Sequence, residues 1–158
     1  MIAQTCAPFV LRESYTLNTL QSRLHGLDHW WRVWKHAVLL GGPSSGADME
    51  VVAMYALFHD AMRFNDGDDK GHGLRGFHLW ERYKQLDTHI EILFSHRQEE
   101  LFFEACAEHS DGHRSTDPTI AVCWDADRLD LHRKGLWPDP RFMSTQEGIA
   151  LCMTRLNP

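Results

Sequence analysis

Apolar residues recur every three or four positions along most of this chain, which is the period of an amphipathic α-helix. A first helix is predicted near residues 10–25. The stretch "DHWWRVWKHAVLLG" predicts a second, which Asp28 caps and Gly41-Gly42-Pro43 ends. A third begins at Asp48 in "GADMEVVAMYALFHD", and a fourth occupies "HGLRGFHLWERYKQL". The first half of the chain is therefore predicted to be one helix after another.

The second half continues the helical pattern. "THIE" and "SHRQ" resemble capping boxes and open helical stretches that reach about Glu108. Pro118 lies in the first turn of "DPTIAVCWDADRLDLHRKG", whose predicted helix ends at Gly135, and "STQEGIALCMTRL" opens on another capping box. Alternation around Asn-Gly or Asp-Gly, the signal of a hairpin, is nearly absent. The predicted fold is all-α, a single-domain bundle of about seven helices over residues 1–158.

Composition and charge narrow the class of protein. A chain of 158 residues suffices for one domain with a core, and its 43% apolar content argues against disorder. The net charge of −6 argues against stable binding to nucleic-acid phosphates. No apolar run approaches the roughly 20 residues that cross a bilayer, and the N-terminus lacks the basic start of a signal peptide. A cytoplasmic protein without membrane contact is expected.

The cysteines and tryptophans are interpreted first as packing residues. The four cysteines form no Cys-x-x-Cys pair, and Cys106, Cys123 and Cys152 lie in apolar helical stretches, as reduced core residues do. The six tryptophans are mostly spaced as core or half-buried residues. Because aromatic faces stack on bases, one tryptophan in a base-binding role is the alternative.

One carboxylate occupies a position where an apolar side chain is expected. Asp127 shares a helix face with Ile120, Cys123 and Trp124. Burial of an unpaired carboxylate is costly, so such a group is protonated, paired or bound to a cation. A salt bridge to an arginine such as Arg128 would satisfy Asp127 as well as a metal ion would.

Further polar residues lie where apolar stripes begin or end. His59 and Asp60 follow the stripe of the third helix, His29 begins the second helix, and His109 ends another stripe. Each histidine alone is typical of a buried, hydrogen-bonded core residue. Two imidazoles and two carboxylates together suit a borderline or hard divalent ion, and converging helices bring such side chains to one point.

Four motifs contain these residues: HGxxHxxRV (25–33), FHD (58–60), HGxRG (72–76) and DADRLD (125–130). In this order and spacing, over about residues 25–132, they resemble the HD superfamily of metal-dependent phosphohydrolases. The resemblance implies a helical bundle whose metal ligands are His29, His59, Asp60 and Asp127. It extends to a small bacterial subgroup of HD-domain proteins through residues 117–131 and "PDPRF" at 138–142.

A second metal ion is a further implication, since some HD proteins hold two. Its ligands would be His72 and His109, which stand in the right order between the HD doublet and Asp127, with His78, His89 and His96 as rival positions. The resemblance implies a divalent cofactor and leaves Mn, Co, Ni, Mg, Fe and Zn open.

The resemblance also implies a phosphoester substrate, whose charge needs cations and whose leaving oxygen needs a proton. The predicted catalytic residues are Asp60, Asp68 and Arg63. Asp66 and Asp69 are alternative acids in the same loop. The predicted phosphate-binding residues are Arg75, Lys70 and His25. A solvated or closing loop is the alternative for residues 63–70, and a helix cap is the alternative for His25.

Three functions are compatible with these residues. The first is a metal-dependent phosphohydrolase for a nucleotide or another small phosphoester, because the chain leaves no room for a separate recognition domain. The second is a di-iron oxygenase on the same scaffold, which needs both extra histidines and two irons bridged by Asp60. The third is a non-catalytic metal- or nucleotide-binding module, against which the intact ligand quartet argues. Surface Trp and Met residues would also suit a homodimer.

Overall fold

The computed structural model of the protein describes residues 2–86 and 94–156. These residues form seven α-helices: α1 (Ile2–Thr16), α2 (Leu27–Leu40), α3 (Met49–Phe58), α4 (His72–Leu86), α5 (His96–Glu108), α6 (Pro118–Arg128) and α7 (Gln146–Leu156). Short 3-10 helices occupy Thr19–Gln21, Leu131–Lys134 and Pro140–Phe142. No strand occurs in the described part of the chain, so the predicted all-α fold of about seven helices is confirmed.

Helix α3 lies at the centre of the bundle. Its sequence, MEVVAMYALF, is apolar on all sides, and a helix of this kind must be covered on all sides. It packs against α1, α2, α4, α5 and α6. The residues with the least exposure in α3 are Val51, Val52, Met54, Tyr55 and Phe58. The chain therefore leaves α3 inside the protein, and His59 and Asp60 come directly after it.

Several predicted helix ends are confirmed by their caps. The Asp48 carboxylate accepts the backbone N–H groups of Glu50 and Val51 at the start of α3. Ser95 and Gln98 form the predicted capping box of α5. Helix α4 has the bounds that its sequence predicts. The capping box predicted at residues 88–91 lies outside the described residues.

The bounds predicted for the first helix are wrong. Helix α1 begins at Ile2, includes Pro8 and ends at Thr16, whereas a helix near residues 10–25 was expected. Its buried apolar face consists of Ile2, Cys6, Phe9 and Val10. Packing of this face offsets the hydrogen bond that Pro8 cannot donate. Beyond Thr16 the chain turns at Asn18, which has a left-handed φ of 59°, and forms only one 3-10 turn.

Two other predicted ends differ from the structure. Gly26, not Asp28, is the residue before α2, and Asp28 lies in the first turn of the helix. Only glycine fits at position 26, where an added Cβ would stand 2.4 Å from the carbonyl oxygen of Ser22. Helix α6 ends at Arg128 rather than Gly135. The chain continues as the 3-10 turn Leu131–Lys134, which Gly135 ends with a φ of 72°.

Most of the cysteines and tryptophans are buried, as the sequence predicts. Cys106, Cys123 and Cys152 are buried in the core. Trp30, Trp80 and Trp124 are buried, whereas Trp31 and Trp137 are 59% and 64% exposed. Among the helices of residues 2–86 and 94–156, none has both the length and the apolar character required to cross a bilayer.

Candidate metal centre

Six polar side chains converge where helix ends meet inside the bundle. His29 lies in the first turn of α2, His59 and Asp60 follow α3, and His72 begins α4. His109 follows α5, and Asp127 lies in the last turn of α6. Five of the six are buried, and the Asp127 side chain is 15% exposed. Side chains distant in the sequence thus meet at one point.

The first group of donors consists of His29, His59 and Asp127. The Nε2 atom of His29 lies 3.1 Å from Nε2 of His59 and 3.3 Å from Oδ1 of Asp127. One nitrogen or oxygen from each residue lies within 4.8 Å of the other two. This spacing allows one cation to contact all three.

The second group consists of Asp60, His72 and His109. The Asp60 Oδ1 atom lies 3.0 Å from Nε2 of His72 and 3.8 Å from Nε2 of His109, and the two nitrogens are 2.8 Å apart. The other oxygen of Asp60, Oδ2, lies 3.4 Å from Nε2 of His29. Asp60 therefore lies between the two groups, with one carboxylate oxygen facing each.

The tautomers of the four histidines follow from their hydrogen bonds. The Nδ1 atoms of His59, His72 and His109 face the backbone carbonyls of Tyr55, Asp69 and Cys106 at 2.7–3.1 Å. Nδ1 of His29 faces the carboxylate of Asp130 at 2.8 Å. A carbonyl or carboxylate only accepts, so each Nδ1 carries the proton and donates it.

In the neutral form of each histidine, Nε2 therefore carries the lone pair, and that of His72 also accepts from Arg63 at 3.0 Å. The Nε2 lone pairs of His29 and His59 face each other, and so do those of His72 and His109. Two acceptors at this distance repel unless a proton or metal ion lies between them. Because nitrogen and carboxylate oxygen donors point at the same places, the residues fit a divalent ion in each group.

The electrostatics of the site also favour a cation. Burial opposes protonation of His29, yet Asp127, Asp130 and Asp60 raise its pKa to about 9. Burial lowers the pKa of His59 to about 3. Burial also opposes ionisation of Asp60, but nearby imidazoles, His59 first among them, hold the pKa of that carboxyl well below its usual range. In metal-free protein a proton on His29 offsets part of this negative charge.

Two residues behind the ligand candidates orient them. Asp130 accepts hydrogen bonds from Nδ1 of His29 and, at 2.7 Å, from Nε of Arg32. Arg133 donates to the backbone carbonyl of Leu24 at 2.6 Å and lies 3.5 Å from Oδ1 of Asp127. Such outer contacts fix the rotamer of a ligand and raise the basicity of an imidazole.

The HGxRG motif has a packing explanation in the close approach of α4 to two other helices. A Cβ at Gly73 would stand 1.9 Å from the Cys106 carbonyl oxygen, and one at Gly76 would stand 2.2 Å from that of Phe58. Only glycine lets α4 come this close to the ends of α5 and α3. This approach puts His72 beside His109 and Asp60.

A cavity of about 420 Å³ opens onto the two groups. At its floor lie Asp60, His72, His109 and Asp127. Its described walls include Arg63, Ser110, Arg128 and a segment of residues 131–143. The cavity therefore combines atoms of the candidate metal ligands with several cationic side chains.

The other predicted site residues lie in different places. Arg63 lines the cavity and donates to Oδ1 of Asp60 at 3.3 Å. His25 is buried outside the cavity lining, where its Nδ1 donates to Asp66 at 2.8 Å. Asp68 and Lys70 are exposed on the 64–71 loop, and Arg75 is bound to Asp69 at 2.6 Å. The structure does not bring Asp68, Lys70, Arg75 or His25 into the described cavity lining.

Sequence reasoning missed the wall that faces the metal-ligating atoms. Its members beyond the DADRLD motif include Arg133, Lys134, Trp137 and Phe142. The adjacent cations of Arg133-Lys134, followed by Gly135 and a tryptophan, were the available signal. Their link to the site depends on how the chain folds back after α6.

Comparison with known proteins yields one match. The family model described as HD domain matches residues 26–132. No curated protein and no solved structure matches the chain significantly. The matched residues include the six ligand candidates and end just before Arg133.

Proposed function

The chain belongs to the HD domain family, whose members are mostly metal-dependent hydrolases, and from this premise we propose that it is a metal-dependent phosphohydrolase of a small phosphoester. The observation that carries the proposal is the pair of donor groups joined by Asp60. The Nε2 lone pairs converge with carboxylate oxygens in each group, which supports one divalent ion in each, and two ions held close together suit the displacement at a phosphoryl group.

Each group would hold one divalent ion. His29, His59 and Asp127 are the proposed ligands of the first, and Asp60, His72 and His109 are those of the second, with Asp60 shared. When bound, such ions lower the pKa of a water molecule and offset negative charge on a phosphoryl oxygen. The mixed imidazole and carboxylate donors suit Mn, Co, Ni, Fe, Mg or Zn.

The protein's own residues hold the ligands in place. Backbone carbonyls and Asp130 keep the Nε2 lone pairs directed at the centre. Arg63 contacts both Oδ1 of Asp60 and Nε2 of His72, and it also donates to the Gly67 carbonyl at 2.7 Å. We propose that Arg63 positions Asp60 and ties the 64–71 loop to the centre.

The charges of the cavity favour an anionic substrate. Lys134 lines the cavity, and no carboxylate of the described residues lies within 4.0 Å of its ammonium group. Arg128 also lines it, and one of its terminal nitrogens, NH2, has no partner in the described part of the chain. These cations offset the charge of a phosphoryl group near Asp60 and Asp127. Asp68 stays a prediction as the acid, and its exposed loop would have to move for that role.

The test begins with metal-depleted protein. We expect phosphate release from a panel of phosphomonoesters to be absent after chelation and to return with Mn, Co, Ni or Mg. Metal analysis of the reloaded protein should find about two ions per chain, one for each donor group. Asp60→Asn should abolish phosphate release, because Asn cannot share two anionic oxygens between the groups.

A matched control separates chemistry from folding. Asp28→Asn removes an exposed carboxylate next to His29, and this variant should keep full turnover. Circular dichroism should show that both variants are folded. Unchanged turnover in Asp60→Asn, or turnover that survives complete metal removal, would contradict the proposal.

A di-iron oxygenase is the second candidate, because the position of Asp60 between two groups is also what two bridged irons need. The two candidates differ in their products. Protein reloaded with iron would consume dioxygen in the presence of an organic substrate and release no phosphate. The cationic residues of the cavity favour the hydrolase.

Three finer proposals remain from the sequence. We propose that the substrate is a nucleotide or a similar small phosphoester, that the protein is cytoplasmic, and that the exposed tryptophans support a homodimer. Light scattering after size exclusion tests the oligomeric state. The charge of −6 supports the expectation that nucleic acid is not bound stably.

A further inference from the structure

Seven of the sixteen residues that line the cavity lie beyond residue 132. The residues beyond 132 that face the cavity are Arg133, Lys134, Leu136, Trp137, Asp139, Phe142 and Met143. The one carboxylate among them, that of Asp139, is paired with Arg141 at 2.6 Å. All lie past the end of the family match at residue 132. The candidate metal ligands lie within the region that the family model matches. The wall lies outside that region, so the family match says nothing about it.

The wall is anchored at both ends. At its first residue, Arg133 donates to the Leu24 carbonyl. After it, the buried carboxylate of Asp125 accepts the backbone N–H groups of Ser144 and Thr145 and the Thr145 hydroxyl at 2.7–3.0 Å. Arg128 donates to the Phe142 carbonyl at 2.8 Å. These ties hold the wall against the cavity in the free protein.

The rim of the wall exposes large apolar side chains. Leu136, Trp137 and Phe142 are 56%, 64% and 48% exposed, although all three line the cavity. Apolar surface left in water costs free energy, and clusters of it mark binding sites. The indole of Trp137 offers a flat face of the kind on which nucleobases and other aromatic rings stack.

The same cavity that the rim and the ligand candidates line also contains a cationic side chain. Lys134 precedes Trp137 by three residues and faces the same cavity as Asp60 and Asp127. No described carboxylate within 4.0 Å pairs with its ammonium group, so its charge is available to a ligand. A ligand that satisfies both features carries a phosphoryl group and, one linker away, an apolar ring.

We propose that the wall of residues 133–143 selects phosphoesters that bear a flat aromatic group, with Trp137 as the stacking surface and Lys134 as a contact of the phosphoryl group. This inference rests on the proposed function and specifies its substrate class. The reaction remains hydrolysis of the phosphoester by water. The wall adds a preference for phosphoesters whose alcohol part carries an aromatic group.

The test compares adenosine 5′-monophosphate with ribose 5-phosphate, which has the same phosphate and sugar without the base. Binding is measured by calorimetry, and hydrolysis is measured by phosphate release. Wild-type protein should bind the nucleotide about tenfold or more tightly than the sugar phosphate. Trp137→Ala should erase most of this difference, and Trp137→Phe should keep part of it.

Trp31→Ala is the matched control, because Trp31 is nearly as exposed as Trp137 but lies on α2 outside the described cavity lining. It should retain the full preference. In parallel, Lys134→Ala should weaken binding of both phosphates, and exposed Lys35 supplies the control Lys35→Ala.

The outcomes separate this inference from the proposed function. Equal binding of the two phosphates by wild-type protein that hydrolyses phosphoesters overturns the inference alone, as does an unchanged preference in Trp137→Ala. Absence of hydrolysis of every phosphoester overturns the proposed function, and the binding comparison then still decides whether the wall recognises an aromatic group. A change of oligomeric state in Trp137→Ala with an intact preference would identify the rim as a contact between copies.

Discussion

Replacement of Gly76 by alanine tests how the second donor group is assembled. The added Cβ would stand 2.2 Å from the Phe58 carbonyl oxygen, whereas ordinary contact begins near 3.4 Å. Helix α4 would have to retreat from α3 by about 1.2 Å. Because Phe58 directly precedes His59 and Asp60, the retreat would separate two elements that supply ligand candidates.

The displacement is large compared with what a metal site tolerates. Distances from ligand to metal vary by about 0.2 Å in well-formed sites. His72 lies at the start of α4, only 3.0 Å from Asp60, so it should leave the second group. His29 and Asp127 lie on α2 and α6, and His59 directly follows α3, so these three should remain together.

Two measurements check the expected result. Metal analysis of Gly76→Ala should find about one ion per chain where wild-type protein holds about two. Overpacking should lower the free energy of unfolding by about 1–3 kcal/mol, which lowers the Tm by about 2–12 °C for a domain of this size. Both effects have the same steric cause.

Gly42→Ala is the control, because an added Cβ at Gly42 meets nothing within 4 Å. It should keep both ions and the wild-type Tm. If Gly76→Ala held two ions per chain and had an unchanged Tm, the close approach of α4 would not be what positions His72.

Three further predictions concern other parts of the protein. Burial lowers the pKa of His25 to about 4, below the unfolded value near 6.5, so its contribution to stability is present above pH 6.5 and is lost as the pH falls toward 4. His25→Asn should therefore reduce the loss of unfolding free energy between pH 7 and pH 4 by on the order of 3 kcal/mol in chemical denaturation. Asp130→Asn should weaken metal binding through His29 by about 10- to 100-fold in competition with a chelator. Thr145→Val should cost about 1–2 kcal/mol in denaturation, because the hydroxyl donates to Asp125 and accepts the Gly148 N–H.

Each of these predictions has its own control. The control for His25→Asn is His78→Asn, which removes an exposed histidine. If the stability of His25→Asn fell with pH as steeply as that of wild type, the first prediction would be refuted. Unchanged affinity in Asp130→Asn would mean that His29 keeps its orientation by other means. Thr154→Val removes an exposed hydroxyl that donates within its own helix, and a cost equal to that of Thr145→Val would remove the special role of Thr145.

Local chemistry explains which helices were predicted well. A side chain that caps a helix contacts the backbone two or three residues away, so Asp48 and the Ser95–Gln98 box carry their information within a few residues. The start of α1 was misplaced because its buried face packs against α3, and that packing overrides the local effect of Pro8.

The candidate metal ligands could be predicted only in part from local sequence pattern. A polar residue on an apolar stripe must find a partner, and this rule identifies Asp127, His29 and the His59–Asp60 doublet from the sequence. The same rule could not choose between His72 and its rivals. His78 and His96 are exposed on α4 and α5, and His89 lies outside the described residues.

The sequence by itself determined the helical fold, most helix ends and the kinds of atom that meet at the centre, because these depend on periodicity, caps and the cost of burial. Only the tertiary structure decided that His72 joins His109, that Arg75 and Lys70 stay away, and that Lys134 and Trp137 face the site. The physical reason is distance along the chain. Contacts such as Gly76 with Phe58 and Asp125 with Thr145 join residues 18 to 20 positions apart, and no local pattern encodes them.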